Sequence, residues 1–412
     1  MNTLFDLTDT QALVQASLSR WLADHAGFER RAGLLATPEA ITPLWRALSR
    51  DLGLLGAALP EAVGGQGGGL ADQGLILQAL GHALLPEPYL ACAVLAGGLL
   101  QQLPGELPQQ LLAGLVDGAV RPVLATLEPA ARHDLAQVHS RLQPADPADP
   151  ANPANAANAA NPANPANPAS GAARASPAAT LLSGHKALVR AAPYATHWLV
   201  SARDSAGLLR LAVVSPGAAG ITRRDLRLAD GGWAAELAFD HTPVQAVLGE
   251  AGCDLLPLIE QASDAAQLAS GAEAIGVMQR LLHDTLDYVR QRKQFGVAIA
   301  GFQVIQHRLA DMHLALLQAN ALVGATLLRL DGRDGSAALP TAQRQAAVAS
   351  AQVAVARACR TVGQGAVQLH GGMGMTDELL IGHGFKRLTL IEGAGGGIDA
   401  QLRRVAAEAL AG

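Results

Sequence analysis

The chain is poor in aromatic residues, in charge and in cysteine. Aromatics make up 3% and charged residues 16% of its 412 positions, and there are three cysteines. Cys92, Cys253 and Cys359 are far apart and odd in number, which speaks against a disulfide framework or a zinc site. His82, His185, His197, His307, His313 and His383 include no His-x-x-x-His pair with an acidic partner, so no metal is expected. With a formal net charge of −5 and no basic block, nucleic acid and anionic membranes are poor partners. No apolar run reaches the ~18 residues of a membrane span, and Met1–Asp6 lacks the parts of a signal peptide. The expected setting is cytoplasmic, without membrane insertion. There is no Gly-x-Ser-x-Gly elbow and no Gly-Lys-Ser/Thr, so neither a serine hydrolase nor a P-loop enzyme is expected.

What is present falls into three textures. Residues 1 to about 120 read as helices: Thr8 stands three before Gln11 in a capping-box spacing, ahead of Leu13, Val14, Leu18 and Leu22. Trp45, Leu48, Leu52, Leu54 and Leu55 form the next apolar group. Five glycines in Gly64–Gly69 require a loop, and an apolar helix follows over about Leu70–Leu85. From about 121 to 250, short runs such as Val123–Leu127, Trp198–Ala202, Leu211–Val214 and Ala235–Phe239 read as the strands of a small β-domain. Inside it an Asn/Pro/Ala tract, at about 144–169, reads as a surface insertion, because proline every few residues blocks helix and ladder alike. From 255 to 412 the helical period returns, with Phe302, Ile305, Leu309, Met312, Leu316 and Leu317 expected as one buried stripe and Thr341–Gln364 as a closely packing helix. The fold class is therefore α+β, with strands segregated between two helical parts rather than alternating with helices.

Three glycine-rich segments, Gly64–Gly69, Gly371–Gly374 and Gly393–Gly397, lack the strand-before and helix-after context of a dinucleotide fingerprint. A different constellation is more specific. Arg292-Lys293-Gln294-Phe295-Gly296 is followed by Phe302-Gln303, then by Gln368-Leu369-His370-Gly371-Gly372-Met373-Gly374 and by Ile391-Glu392-Gly393. With Leu59–Gly65 and Leu182-Ser183-Gly184-His185-Lys186, read as a middle-domain hairpin, these segments resemble the acyl-CoA dehydrogenase family over nearly the whole chain. The resemblance implies an N-terminal helical domain, a small barrel-like β-domain and a C-terminal four-helix bundle.

It also implies FAD, bound between the middle and C-terminal domains and across a subunit contact. Arg292 would pair with the pyrophosphate, a task suited to a planar, permanently charged fork; the plain alternative is a solvated arginine in a charged run. Gln303 would lie on the adenine side, with Gln294 and Phe295 beside the cofactor; a polar helix start and a core phenylalanine are the plain alternatives. Gln368, Leu369, His370, Gly371 and Gly372 would approach the partner subunit's cofactor, where missing Cβ atoms permit close contact. Glu392 would be the catalytic base that takes the α-proton of an acyl-CoA substrate; otherwise it is a helix-end glutamate. The implied reaction is α,β-desaturation in fatty acid metabolism, with electrons passed to an electron-transfer flavoprotein.

The chain departs from the family pattern in three places. The middle-domain Thr-Glu-Pro-Gly-Ala-Gly-Ser-Asp stretch becomes Thr126-Leu127-Glu128-Pro129-Ala130-Ala131-Arg132-His133-Asp134. The flavin-shielding Trp-Ile-Thr-like strand becomes Ala187-Leu188-Val189-Arg190, and Ala394-Gly395-Gly396 follows Glu392-Gly393 without a hydroxyl. With Ile381–Thr389, these features are similar to the small subunit of pimeloyl-CoA dehydrogenase. That similarity implies either a homo-oligomer or a heteromer with a large acyl-CoA dehydrogenase subunit. Arg132, His133 or Lys186 would then meet a distal carboxylate, solvent-facing loop cations being the plain alternative. Two further readings stand beside it: a non-catalytic partner subunit with an idle Glu392, and an acyl-CoA binding protein that has lost FAD.

Overall fold

The computed structural model describes residues 3–85, 88–131, 133–145, 180–335 and 337–411. Apart from its first two residues, the Asn/Pro/Ala tract lies outside them, as does Arg132.

The N-terminal part consists of α1 (Asp9–His25), α2 (Arg31–Ala36), α3 (Thr42–Arg50) and α4 (Leu70–His82), then a π-helical stretch, Leu90–Ala96, that runs into α5 (Gly97–Leu100), and α6 (Glu106–Val116). The capping box forms as its spacing predicts: Thr8 N–H donates to Gln11 Oε1 at 3.1 Å, and Gln11 N–H to Thr8 Oγ1 at 3.3 Å. The first turn of α4 is capped from far away, because Asp331 accepts the Leu70 and Ala71 N–H groups at 2.8 and 2.7 Å.

The middle part is one mixed sheet. Its strands are β1 (Pro122–Ala125), β2 (Arg141–Pro144), β3 (Thr180–Arg190), β4 (His197–Arg203), β5 (Leu209–Val214), β6 (Ile221–Arg227), β7 (Trp233–Pro243) and β8 (Ala246–Leu248). They lie in the order β6-β7-β3-β2-β4-β5-β8, with β1 parallel to β4. Strands β1 and β5 are buried along their whole length, as the apolar runs Val123–Ala125 and Leu211–Val214 within them require. Leu182–Lys186 does not turn; it lies inside β3. Gly184 opens a bulge in that strand at φ +148°, where a Cβ would collide with Ser140 just before β2, and pairing with β7 continues beyond it.

The C-terminal part packs α7 (Leu256–Gln291), α8 (Gln303–Leu330), α9 (Thr341–His370), α10 (Leu380–Glu392) and α11 (Gly397–Ala411). A two-stranded ribbon, β9 (Lys293–Gln294) and β10 (Val297–Ala298), links α7 to α8. By length and composition α8 could cross a membrane, and it packs against α7 and α9 in the bundle. Its stripe is buried only in part: Met312 and Leu316 are core, Phe302, Ile305 and Leu309 are half-buried, and Leu317 is exposed. The first turns of α8 lie beside the short ribbon rather than between the longer helices, which leaves that end of the stripe uncovered. Helices α4 and α7 approach at backbone distance, since Gly276 faces Gln78 O and Gly81 faces Glu273 O with no room for a Cβ. That approach places Glu273 where all three parts meet.

Candidate active site

The first cluster forms at one end of the bundle. Tyr288, in the last turn of α7, stacks on His370 at the end of α9, with ring centroids 4.3 Å apart. His370 Nδ1 lies 2.9 Å from the Ala366 carbonyl, which can only accept, so that nitrogen carries the proton. Four residues beyond Tyr288 the helix ends at Arg292, whose carbonyl accepts the Ile299 N–H and closes the ribbon. Phe295 and Gly296 form its two-residue turn at φ +52° and +83°, the left-handed pair that such a hairpin demands. Phe295 is 92% exposed and meets Phe302 edge-on at 6.2 Å, which brings Gln303 alongside.

Arg292, Gln294, Phe295 and Gln303 thus share one exposed rim with Gln368, Gly371 and Gly372, while Leu369 and His370 are buried beneath it. The Arg292 guanidinium makes no side-chain hydrogen bond or ion pair among the described residues. Cβ positions built on Gly296, Gly371 and Gly372 meet open space.

Glu392, the last residue of α10, stands apart from this rim. Its Oε1 accepts the Nε–H of Arg360 at 2.5 Å. Arg360 lies ten residues before His370, about 15 Å along α9. The next turn holds Gly395, Gly396 and Gly397 at φ +61°, +90° and +68°, and His133 of the middle part lies against Gly396.

The third cluster is a cavity of about 260 Å³ where the N-terminal helices, the sheet and the bundle meet. Its wall is mostly apolar, yet five charged residues line it: Arg31, Arg190, Asp230, Glu273 and Arg387. Arg387 grips Glu273 with two parallel bonds, at 2.6 and 2.7 Å, and donates to Asp230 Oδ2 at 2.9 Å. Burial opposes the charge on Arg387, but Glu273 and Asp230 outweigh it and raise its pKa. Burial likewise opposes ionisation of Asp230, and the Arg387 charge holds its carboxyl below the ordinary value. Arg31 donates to the backbone oxygens of Leu84 and Asp230. Sequence reading missed these residues as a site. The available signal was Glu273, a lone charge within the Ala- and Gly-rich Ala269–Gly276.

Lys186 is neither a solvent-facing cation nor free to meet a ligand. It is 1% exposed, and its Nζ donates to Glu128 Oε1 at 2.7 Å, Ser201 Oγ at 3.1 Å and Thr126 O at 3.3 Å. Burial brings its pKa down to about 8, against the pull of Glu128. Glu128 also accepts from the N–H groups of His139 and Ser140 and from Ser140 Oγ. Together they pin the stretches at Thr126–Glu128 and His139–Ser140 to the sheet.

The profile of the acyl-CoA dehydrogenase N-terminal domain matches residues 8–119, and that of the C-terminal domain matches residues 257–410, together the larger part of the chain. The chain belongs to the acyl-CoA dehydrogenase family. Among its relatives is the acyl-CoA dehydrogenase FadE27 of Mycobacterium tuberculosis, 28% identical over 367 residues that cover 89% of this chain and 87% of that one. Among solved structures, the Tcur3481-Tcur3483 steroid ACAD G363A variant superposes with a TM-score of 0.79 and 26% identity over 98% of each chain. The ChsE4-ChsE5 complex of M. tuberculosis has the same fold, with a TM-score of 0.79 and 24% identity over 100% of this chain and 99% of that one. As an acyl-CoA dehydrogenase-family oxidoreductase, this chain has Ala187, Leu188, Val189 and Arg190, the segment similar to the family's flavin-shielding strand, along the wall of the charged cavity.

Proposed function

We propose that the chain is one subunit of an FAD-dependent acyl-CoA dehydrogenase assembly that desaturates an acyl-CoA thioester at the α,β bond and passes electrons to an electron-transfer flavoprotein. The observation that carries this reading is the exposed rim, where an Arg292 with free donors stands beside glycines that leave open space. A diphosphate fits such a rim: a planar guanidinium gives two parallel hydrogen bonds, and bare backbone allows close approach. FAD supplies the hydride acceptor for the β-hydrogen. Glu392 would hold the α-proton, and the Arg360 Nε–H that now engages Oε1 would release it during that transfer. Because the rim faces outward, a cofactor held there is shared with a second subunit. The two-component names of two similar structures favour a heteromer, and a pimeloyl-CoA-type small subunit is the form of it we propose.

One observation favours a second reading, in which this chain completes a partner's cofactor site and its own carboxylate is idle: Glu392 is tied to Arg360 and is not among the residues lining the cavity. The variant Glu392→Gln separates the two, read by visible absorbance and turnover of the chain co-expressed with a large acyl-CoA dehydrogenase subunit. Flavin absorbance kept and turnover abolished is the outcome for a working base. Full turnover in that variant assigns the base to the other chain, and absence of flavin in the wild-type assembly overturns both readings.

A further inference from the structure

Gly395, Gly396 and Gly397, just beyond Glu392, all have positive φ, and glycine is the residue with the most backbone freedom to lose. A carboxylate at the end of α10 that opens on such a turn has no local means of keeping its direction. The turn is held from outside instead. Gln401 of α11 is 2% exposed, and its Nε2 donates to the Gly395 carbonyl at 3.0 Å and to Gln267 Oε1 at 2.9 Å. These two acceptors engage both amide hydrogens, so the nitrogen end of the side chain faces the turn. Gln267 of α7 is itself fixed, because its carbonyl accepts from Gln352 of α9 at 2.5 Å and from Ser270 Oγ at 2.7 Å. A Cβ built on Gly395 would strike Gln267 Oε1 and Gln401 Nε2, and from the other side the His133 ring lies against Gly396.

A glutamine buried in a helix seam costs free energy unless its amide is bonded, and an apolar residue would fill the place without that demand. Docking of α11 already has its own polar tie, since Asp264 of α7 accepts from Arg404 of α11 at 2.5 Å and from Arg344 of α9 at 3.1 Å. The seam therefore does not need Gln401, whereas the glycine turn does. We infer that Gln401 is a positioning residue for Glu392: by holding the Gly395 carbonyl it fixes the turn, and through the turn the direction in which α10 presents the carboxylate. The inference rests on the reading of Glu392 as the base. A base on a loose turn loses the alignment that proton transfer requires. Arg360 reports that direction, because its Nε–H engages Glu392 Oε1 at 2.5 Å in the present alignment.

Nuclear magnetic resonance of the full chain tests the hold without flavin or turnover, through the Arg360 Nε–H signal assigned with Arg360→Lys. The Arg360 side chain is 56% exposed, so an unbonded Nε–H exchanges freely with water and a carboxylate-bound one is protected. Gln401→Met keeps the volume and removes both donors, and it is expected to speed that exchange roughly 10-fold or more. Gln267→Leu, which removes one of the two anchors of Gln401, is expected to give an intermediate rate. In the assembly co-expressed with a large subunit, Gln401→Met is expected to lower kcat by roughly 10- to 100-fold with KM unchanged. A merely structural Gln401 would lower the melting temperature and move neither the exchange rate nor kcat. Unchanged Nε–H exchange in Gln401→Met and Gln267→Leu overturns the inference, and Gln267→Leu decides alone if Gln401→Met fails to fold. Where Glu392→Gln is inactive, an unchanged kcat in Gln401→Met overturns it as well. Full turnover in Glu392→Gln overturns the base reading instead, and the exchange rate then still decides whether Gln401 holds the carboxylate.

Discussion

The rim at the bundle end and the charged cavity are two solutions to placing arginines in one molecule. At the rim, Arg292 stands in water on a short ribbon, and its surroundings ask nothing of it for folding. In the cavity, Arg387 is held by two carboxylates from other elements, and through Asp230 it ties the bundle to the sheet. An exposed arginine is kept for what it can bind, whereas a buried one is first a structural obligation. The two classes should separate cleanly when each is removed.

The largest effect is expected at Arg387→Met, which strands Glu273 and Asp230 beside an apolar wall. It should lower stability by about 3–5 kcal/mol in denaturant unfolding. A loss below ~1 kcal/mol would show that the cavity relaxes or hydrates freely. Next comes Glu128→Gln, which unpairs Lys186 and should cost about 3 kcal/mol near neutral pH. Here the pH profile sharpens the comparison. Burial opposes the Glu128 charge, but hydrogen bonds from Lys186 and Ser140 hold its folded pKa below the ordinary 4.5. Its contribution is therefore complete above 4.5 and is lost as pH falls toward the lower folded value. Melting temperature against pH should drop along this acid limb in the wild type and less steeply in Glu128→Gln; parallel curves would contradict the assignment. The smallest effect on folding is expected at Arg292→Ala. Its melting temperature should match the wild type while the co-expressed assembly loses flavin absorbance, and retained flavin would remove Arg292 from the cofactor site.

The rim was legible in the sequence and the cavity was not, for a physical reason. Arg292, Gln294, Phe295 and Gln303 fall within twelve consecutive residues, and Gln368–Gly372 are contiguous at the foot of a strongly periodic helix. Local patterns of that kind survive without knowledge of the tertiary fold, as does the Thr8–Gln11 capping box. The cavity cluster instead draws Arg190 from β3, Asp230 from the β6–β7 turn, Glu273 from α7 and Arg387 from α10. Only the docking of sheet on bundle brings them together. Lys186 was misread for the same reason: its partner Glu128 lies 58 residues away, and nothing local marks a lysine as buried. The stripe on α8 erred in the opposite sense, since periodicity identifies the apolar side of a helix but not how much of its length is covered.

The apex of the ribbon has one more consequence. Phe295 occupies a left-handed backbone conformation, which costs a residue with a side chain roughly 1–2 kcal/mol relative to the ordinary regions, and it spreads its ring into solvent. A two-residue turn leaves that ring only two torsions to lose. Covering that ring therefore costs this chain little further conformational entropy, because the stiffening has already been met while the chain folds. The turn makes of Phe295 a preorganised anchor, one whose ordering cost is charged to the free protein rather than to the encounter.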